Sequence, residues 1–101
     1  MTAEQPSPAV DPEHTRWMCH ALRLAQAAID AEEVPVGAVI VRDGEALSEA
    51  HNRTVGDADP CAHAEVLAIR AASAALGDRR LLGTVLYVTL EPCAMCAGAI
   101  V

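Results

Sequence analysis

Val36-Gly37-Ala38-Val39-Ile40-Val41 is the stretch that most limits what this chain can become. An unbroken apolar run rich in β-branched residues makes a strand with no polar face, so both of its faces need covering. Asp43-Gly44 follows, the strongest short hairpin signal. It returns the chain through Glu45 to Ala50 as a polar, alternating strand suited to a sheet edge.

The flanking segments supply the cover. Asp11-Pro12-Glu13 reads as a helix start, with Asp as N-cap, Pro at the first helical position and Glu in the first turn. Trp17, Ala21, Leu24, Ala25 and Ala28 share one face, with Leu22 and Ile29 beside it. This spacing predicts a helix from about 12 to about 31 lying on a sheet, ended by Pro35. Residues 51–61 are loop by composition. A second helix is expected from Ala62 to Ala75, closed by Gly77, with Asp59 as its N-cap and His63 and Glu65 in its first turn. Leu82 to Leu90 reads as a third strand, and Glu91-Pro92-Cys93 turns the chain into another helix near Ala94. The sequence of hairpin, helix, strand and helix predicts an α/β layer arrangement with a right-handed crossover to the third strand. Residues 1–10 carry two prolines and no periodicity, and are expected to be a disordered tail. Residues 11–101 then form one domain, expected to be incomplete because the chain stops inside an apolar segment of its last helix.

Composition narrows the class. A chain of 101 residues is one small domain. Its apolar content is 52%, but Trp17 and Tyr87 are the only aromatics, so the core must be aliphatic. No run approaches the roughly 20 apolar residues of a membrane span, and the N-terminus lacks the pattern of a secretory signal. A cytoplasmic protein with reduced thiols is expected, in which C-x-x-C means metal or redox chemistry. The net charge of −7, with seven Arg against fourteen acidic residues, shows no basic footprint for nucleic acid.

The chemistry is concentrated in two places. His63-Ala64-Glu65 is answered about thirty residues later by Pro92-Cys93-Ala94-Met95-Cys96. Helix N-termini favour the thiolate forms of Cys93 and Cys96, and His63 adds an imidazole. Three such ligands suit zinc and leave a position for water, whose pKa the metal lowers toward roughly 7. Glu65 is then placed as general acid and base without being needed as a ligand. Each part has a plainer reading. C-x-x-C alone can be redox or structural, His63 a surface histidine, and Glu65 a charge complementing the helix dipole. Cys61 could close the coordination as a structural site of three cysteines and one histidine. Cys19 reads as a small buried or half-buried residue, and His14, His20 and His51 as surface residues.

The H-x-E…P-C-x-x-C pairing is a signature of zinc nucleobase deaminases. Together with Glu33-Val34-Pro35-Val36-Gly37-Ala38-Val39, His51-Asn52-Arg53, Asp59-Pro60-Cys61-Ala62-His63-Ala64-Glu65 and Leu90-Glu91-Pro92-Cys93-Ala94-Met95-Cys96-Ala97-Gly98-Ala99-Ile100, it makes the chain resemble the bacterial tRNA-specific adenosine deaminases of the cytidine-deaminase-like superfamily. The resemblance implies a three-layer α/β/α fold, of which this chain holds the N-terminal part, and one zinc per subunit on His63, Cys93 and Cys96. It implies Glu65 as proton shuttle, Asn52 as a substrate contact, and Val36 and Ala64 as walls of the base pocket. It also implies conversion of adenosine to inosine at the wobble position, a tRNA anticodon stem-loop as partner, and a homodimer. The family usually has Thr or another small residue where Cys61 stands, and it continues beyond the last residue here. Deaminases of free guanine or cytosine share H-A-E and P-C-x-x-C, and a non-catalytic structural zinc fragment is the alternative from another class.

Overall fold

The computed structural model of the chain describes residues 2–4, 12–78 and 80–89. The elements run β1 (Thr2–Glu4), α1 (Pro12–Asp30), β2 (Gly37–Arg42), β3 (Glu45–His51), α2 (Ala64–Leu76) and β4 (Val85–Val88). The strands lie in one sheet of order β1-β4-β2-β3. β2 is antiparallel to both of its neighbours, β3 and β4, so those two run in the same direction. α2 therefore crosses over β2 to connect them.

The apolar run becomes β2, and its alternation divides the core in two. Val36, Ala38 and Ile40 pack with Ala64, Ala68 and Ala72 of α2 and with Leu86 and Val88 of β4. Val39 and Val41 pack with Trp17 and Ala21 of α1 and with Tyr87. Successive strand residues point to opposite faces, so α1 covers one face of the sheet and α2 the other. This is the expected helix–sheet–helix layering.

Two glycines serve that layering. At Gly44, φ is 79°, and at Asp43 it is 53°. Positive φ at both central positions is the primed turn that matches the twist of a two-residue hairpin. Gly37 lies where α1 crosses β2. A Cβ there would sit 2.1 Å from the Ala21 carbonyl oxygen and 2.7 Å from the Ala25 nitrogen.

Several expectations are corrected. Within the stretch expected to be a disordered tail, Thr2–Glu4 pairs in parallel with β4 along the edge that β2 does not occupy. α2 starts at Ala64, two residues later than expected, because Asp59 is not its cap. The Asp59 Oδ1 instead accepts the Cys61 N–H at 2.9 Å, a local turn within the preceding loop. The third strand starts at Val85. Ahead of it Leu82 is exposed, and Gly83 turns the chain with φ at 72°. Cys19 is exposed: it falls nearly opposite Trp17 and Ala21 on the helix, so the buried stripe misses it. The expected helix near Ala94 lies outside the described residues, as does Asp11. Among the described residues, no helix is long and apolar enough to cross a membrane.

Candidate metal and substrate site

α2 brings two of the expected site residues together at its start. His63 is the N-cap, in extended conformation with φ −77° and ψ 148°, and its side chain makes no capping hydrogen bond. The imidazole is therefore not committed to the helix's own amides. Glu65 lies in the first turn and is buried, at 4% exposure. A glutamate that deep in a helix start is unusual for a charge that merely complements the dipole, which works from the surface.

The cap that His63 does not provide comes from Asn52. Its Oδ1 accepts the Ala64 N–H at 2.8 Å, and its own N–H donates to the Val36 carbonyl at 3.2 Å. Val36, Asn52 and Ala64, the three expected substrate contacts, thus form one hydrogen-bonded run at the foot of α2. All three are buried. The Ala64 donor fixes which amide atom of Asn52 is oxygen, so Nδ2 is the atom left to donate elsewhere.

This division of labour gives a sharp prediction. Asn52→Asp keeps the acceptor for Ala64 and adds a negative charge at a helix N-terminus, where it is favourable, but removes the Nδ2 donor. Because position 52 is buried, desolvation of the new charge offsets the dipole's gain, and thermal stability should change little. In a protein extended to its relatives' full length, kcat/KM should fall about tenfold or more, the cost of one lost or mismatched polar contact to substrate. Equal losses of stability and activity would instead make Asn52 only a helix cap.

Glu33 was not singled out by sequence reasoning, yet it is the most heavily hydrogen-bonded carboxylate of the described residues. Its Oε1 accepts the Val55 N–H at 3.1 Å and the Thr54 hydroxyl at 3.3 Å, and its Oε2 accepts the Gly56 N–H at 2.8 Å. The Val55 amide, then the Gly56 amide, hold its carboxyl below the ordinary value of 4.5; burial opposes them, while the Thr54 hydroxyl and the charge of His51 assist. A lowered folded value means that this stabilisation is complete above pH 4.5 and is lost as pH falls through the folded value. The partners lie more than twenty positions away in sequence, so nothing local could have revealed them.

Among the described residues, no three His, Cys, Asp or Glu side chains converge as a metal site. Cys93 and Cys96 lie outside those residues. Cys61 is half-buried with a free thiol, its carbonyl accepting the His63 N–H at 2.8 Å. What the described residues contribute fits zinc: a borderline ligand, imidazole, at a helix N-terminus whose amide is capped by a neutral side chain, with a carboxylate one turn position further on.

A helix that carries imidazole and carboxylate at its start, packed on a mixed sheet with a second helix behind it, is the first half of the zinc-dependent deaminase arrangement, whose cysteine half lies outside the described residues. Comparison with known proteins agrees. Residues 11–101 match the cytidine and deoxycytidylate deaminase zinc-binding region. The chain belongs to that family, and zinc is its metal. A tRNA-specific adenosine deaminase of Aquifex aeolicus is 54% identical over 81 residues, which is 80% of this chain and 54% of that protein. A solved tRNA:A34 deaminase superposes with a TM-score of 0.82 at 52% identity, covering 85% of this chain and 62% of its own. A guanine deaminase from Bacillus subtilis superposes with a TM-score of 0.83 at 44% identity, covering 86% of this chain and 56% of its own. The chain spans little more than half the length of the relatives it matches.

Proposed function

We propose that the protein hydrolytically deaminates adenosine to inosine at the wobble position of a tRNA anticodon. The carrying observation is the identity to tRNA adenosine deaminases, 54% and 52% in two organisms, against 44% to the guanine deaminase of equal structural likeness. In this reading His63, Cys93 and Cys96 hold zinc, which when bound supplies an acidified water. With zinc bound, Glu65 would carry one proton of the water to the ring nitrogen and then the second, from the hydroxyl added at C6, to the departing amine, which leaves as ammonia. Asn52 orients the nucleoside through Nδ2, and Val36 and Ala64 form the apolar floor beneath the base. The partner is an anticodon stem-loop, the assembly a homodimer, and the compartment the cytoplasm.

The guanine deaminase likeness supports a second reading, a free-base deaminase. The zinc-loaded protein, extended to its relatives' length, is expected to form inosine from an arginine tRNA anticodon stem-loop and no xanthine from free guanine. Xanthine without inosine would reverse the assignment. X-ray absorption at the zinc edge should show two sulfurs, one nitrogen and one light oxygen. A third sulfur in place of the oxygen would mean that Cys61 closes a structural site.

A further inference from the structure

The loop between Asn52 and His63 is held in three separate ways. Its feet are tied to each other and to the core: Arg53 N–H donates to the Ala62 carbonyl at 2.8 Å and Asn52 N–H to Val36, while Asn52 Oδ1 caps Ala64. None of these bonds involves Glu33. Its crest is braced internally, with Asp59 N–H bonded to the Thr54 carbonyl and Asp57 N–H to the Arg53 carbonyl. Glu33 reaches over from the end of α1 and grips only the arch Thr54-Val55-Gly56, through both oxygens. Its own backbone is anchored, the N–H bonded to the Ala28 carbonyl at 2.8 Å.

The arrangement is unusual for a surface loop. Loops are ordinarily left mobile, and a carboxylate at 8% exposure has given up water. Yet the segment it fixes is exposed, with Val55 at 71%. A buried charge spent on holding an exposed arch beside the substrate residue is the geometry of a preformed contact, which lowers the ordering cost of binding.

We infer that Glu33 is a positioning residue that holds the Thr54–Gly56 arch in shape for the RNA strand flanking the target nucleotide. The inference rests on the tRNA reading above. Because the feet of the loop are held independently, loosening the arch should weaken binding and leave the chemistry at Glu65 and the metal intact. Glu33→Gln replaces one accepting oxygen by an amide NH2, which cannot accept from the arch.

The test uses the zinc-loaded protein at its relatives' full length, with an anticodon stem-loop as substrate. For Glu33→Gln, KM should rise at least about fivefold, with kcat within about twofold and zinc content unchanged. Amide exchange at Val55 and Gly56 should accelerate in the same variant. Faster exchange with unchanged KM would make Glu33 merely structural and overturn the inference. So would a fall in kcat or zinc content at constant KM, or unchanged exchange. If Glu33→Gln does not fold, Thr54→Val removes only the hydroxyl donor and should raise KM in the same direction by a smaller factor; no rise there overturns the inference too. A wild-type protein that neither binds nor deaminates the stem-loop refutes the tRNA reading itself, a result distinct from a wild type that works and a Glu33 variant that works equally well.

Discussion

Glu65→Ala, in the zinc-loaded protein at its relatives' length, is expected to lower kcat by at least about a hundredfold while zinc stays bound. General acid–base catalysis by one positioned group contributes about 10²–10⁴ in rate, and the proposed reaction gives Glu65 both proton transfers. The geometry separates this from the plainer role. A first-turn glutamate serving only the helix dipole is worth about 0.3–1 kcal/mol and its loss leaves turnover alone. Glu65 is 4% exposed, and among the described residues no salt bridge reaches it. Glu65→Gln keeps the shape but cannot take up or return a proton, and should be as inactive as the alanine variant. Turnover that survives either change would remove Glu65 from the mechanism.

Gly37→Ala is expected to be the most damaging small substitution in the fold. The added methyl would lie 2.1 Å from Ala21 O, 2.7 Å from Ala25 N and 2.8 Å from Leu24 Cβ. The first two are helix backbone atoms that cannot step aside singly, so α1 must lift from β2 as a body. Overpacking of this kind costs about 1–3 kcal/mol, and the rigid neighbours put this site at the upper end. For a protein of the relatives' size that lowers the melting temperature by about 6–12 °C. An unchanged melting temperature would mean that α1 does not seat on Gly37 this closely.

Most of the framework was legible because each element carries its own local signal. The run at Val36–Val41 declared a two-faced strand, Asp43-Gly44 its turn, and the stripe from Trp17 to Ala28 its cover. The site was legible only where its members sit close in sequence. His63 and Glu65 announce each other across one residue, but the helix start was misplaced because Asp59 satisfies a loop amide rather than the helix. Asn52 was expected as a substrate contact, and its capping of α2 was not foreseen. The Ala64 amide that it caps is twelve positions away, and capping residues are ordinarily sought next to the helix they cap. Glu33 was read only as part of a helix ending, since a carboxylate's partners in a distant loop leave no mark on its own neighbourhood.

The seat of α1 on Gly37 also bears on how the sheet finds its alignment. If β2 were threaded one residue out of place, Val36 or Ala38 would arrive beneath α1, each carrying the side chain that the 2.1 Å approach forbids. The same slip would move the residues facing α2 to the opposite layer. Hydrophobicity alone would not reject it, because every position from Val36 to Val41 is apolar or glycine. The missing side chain of Gly37 thus acts as a key: only one threading lets helix and strand close, and that threading is the one in which the Val36 carbonyl meets Asn52.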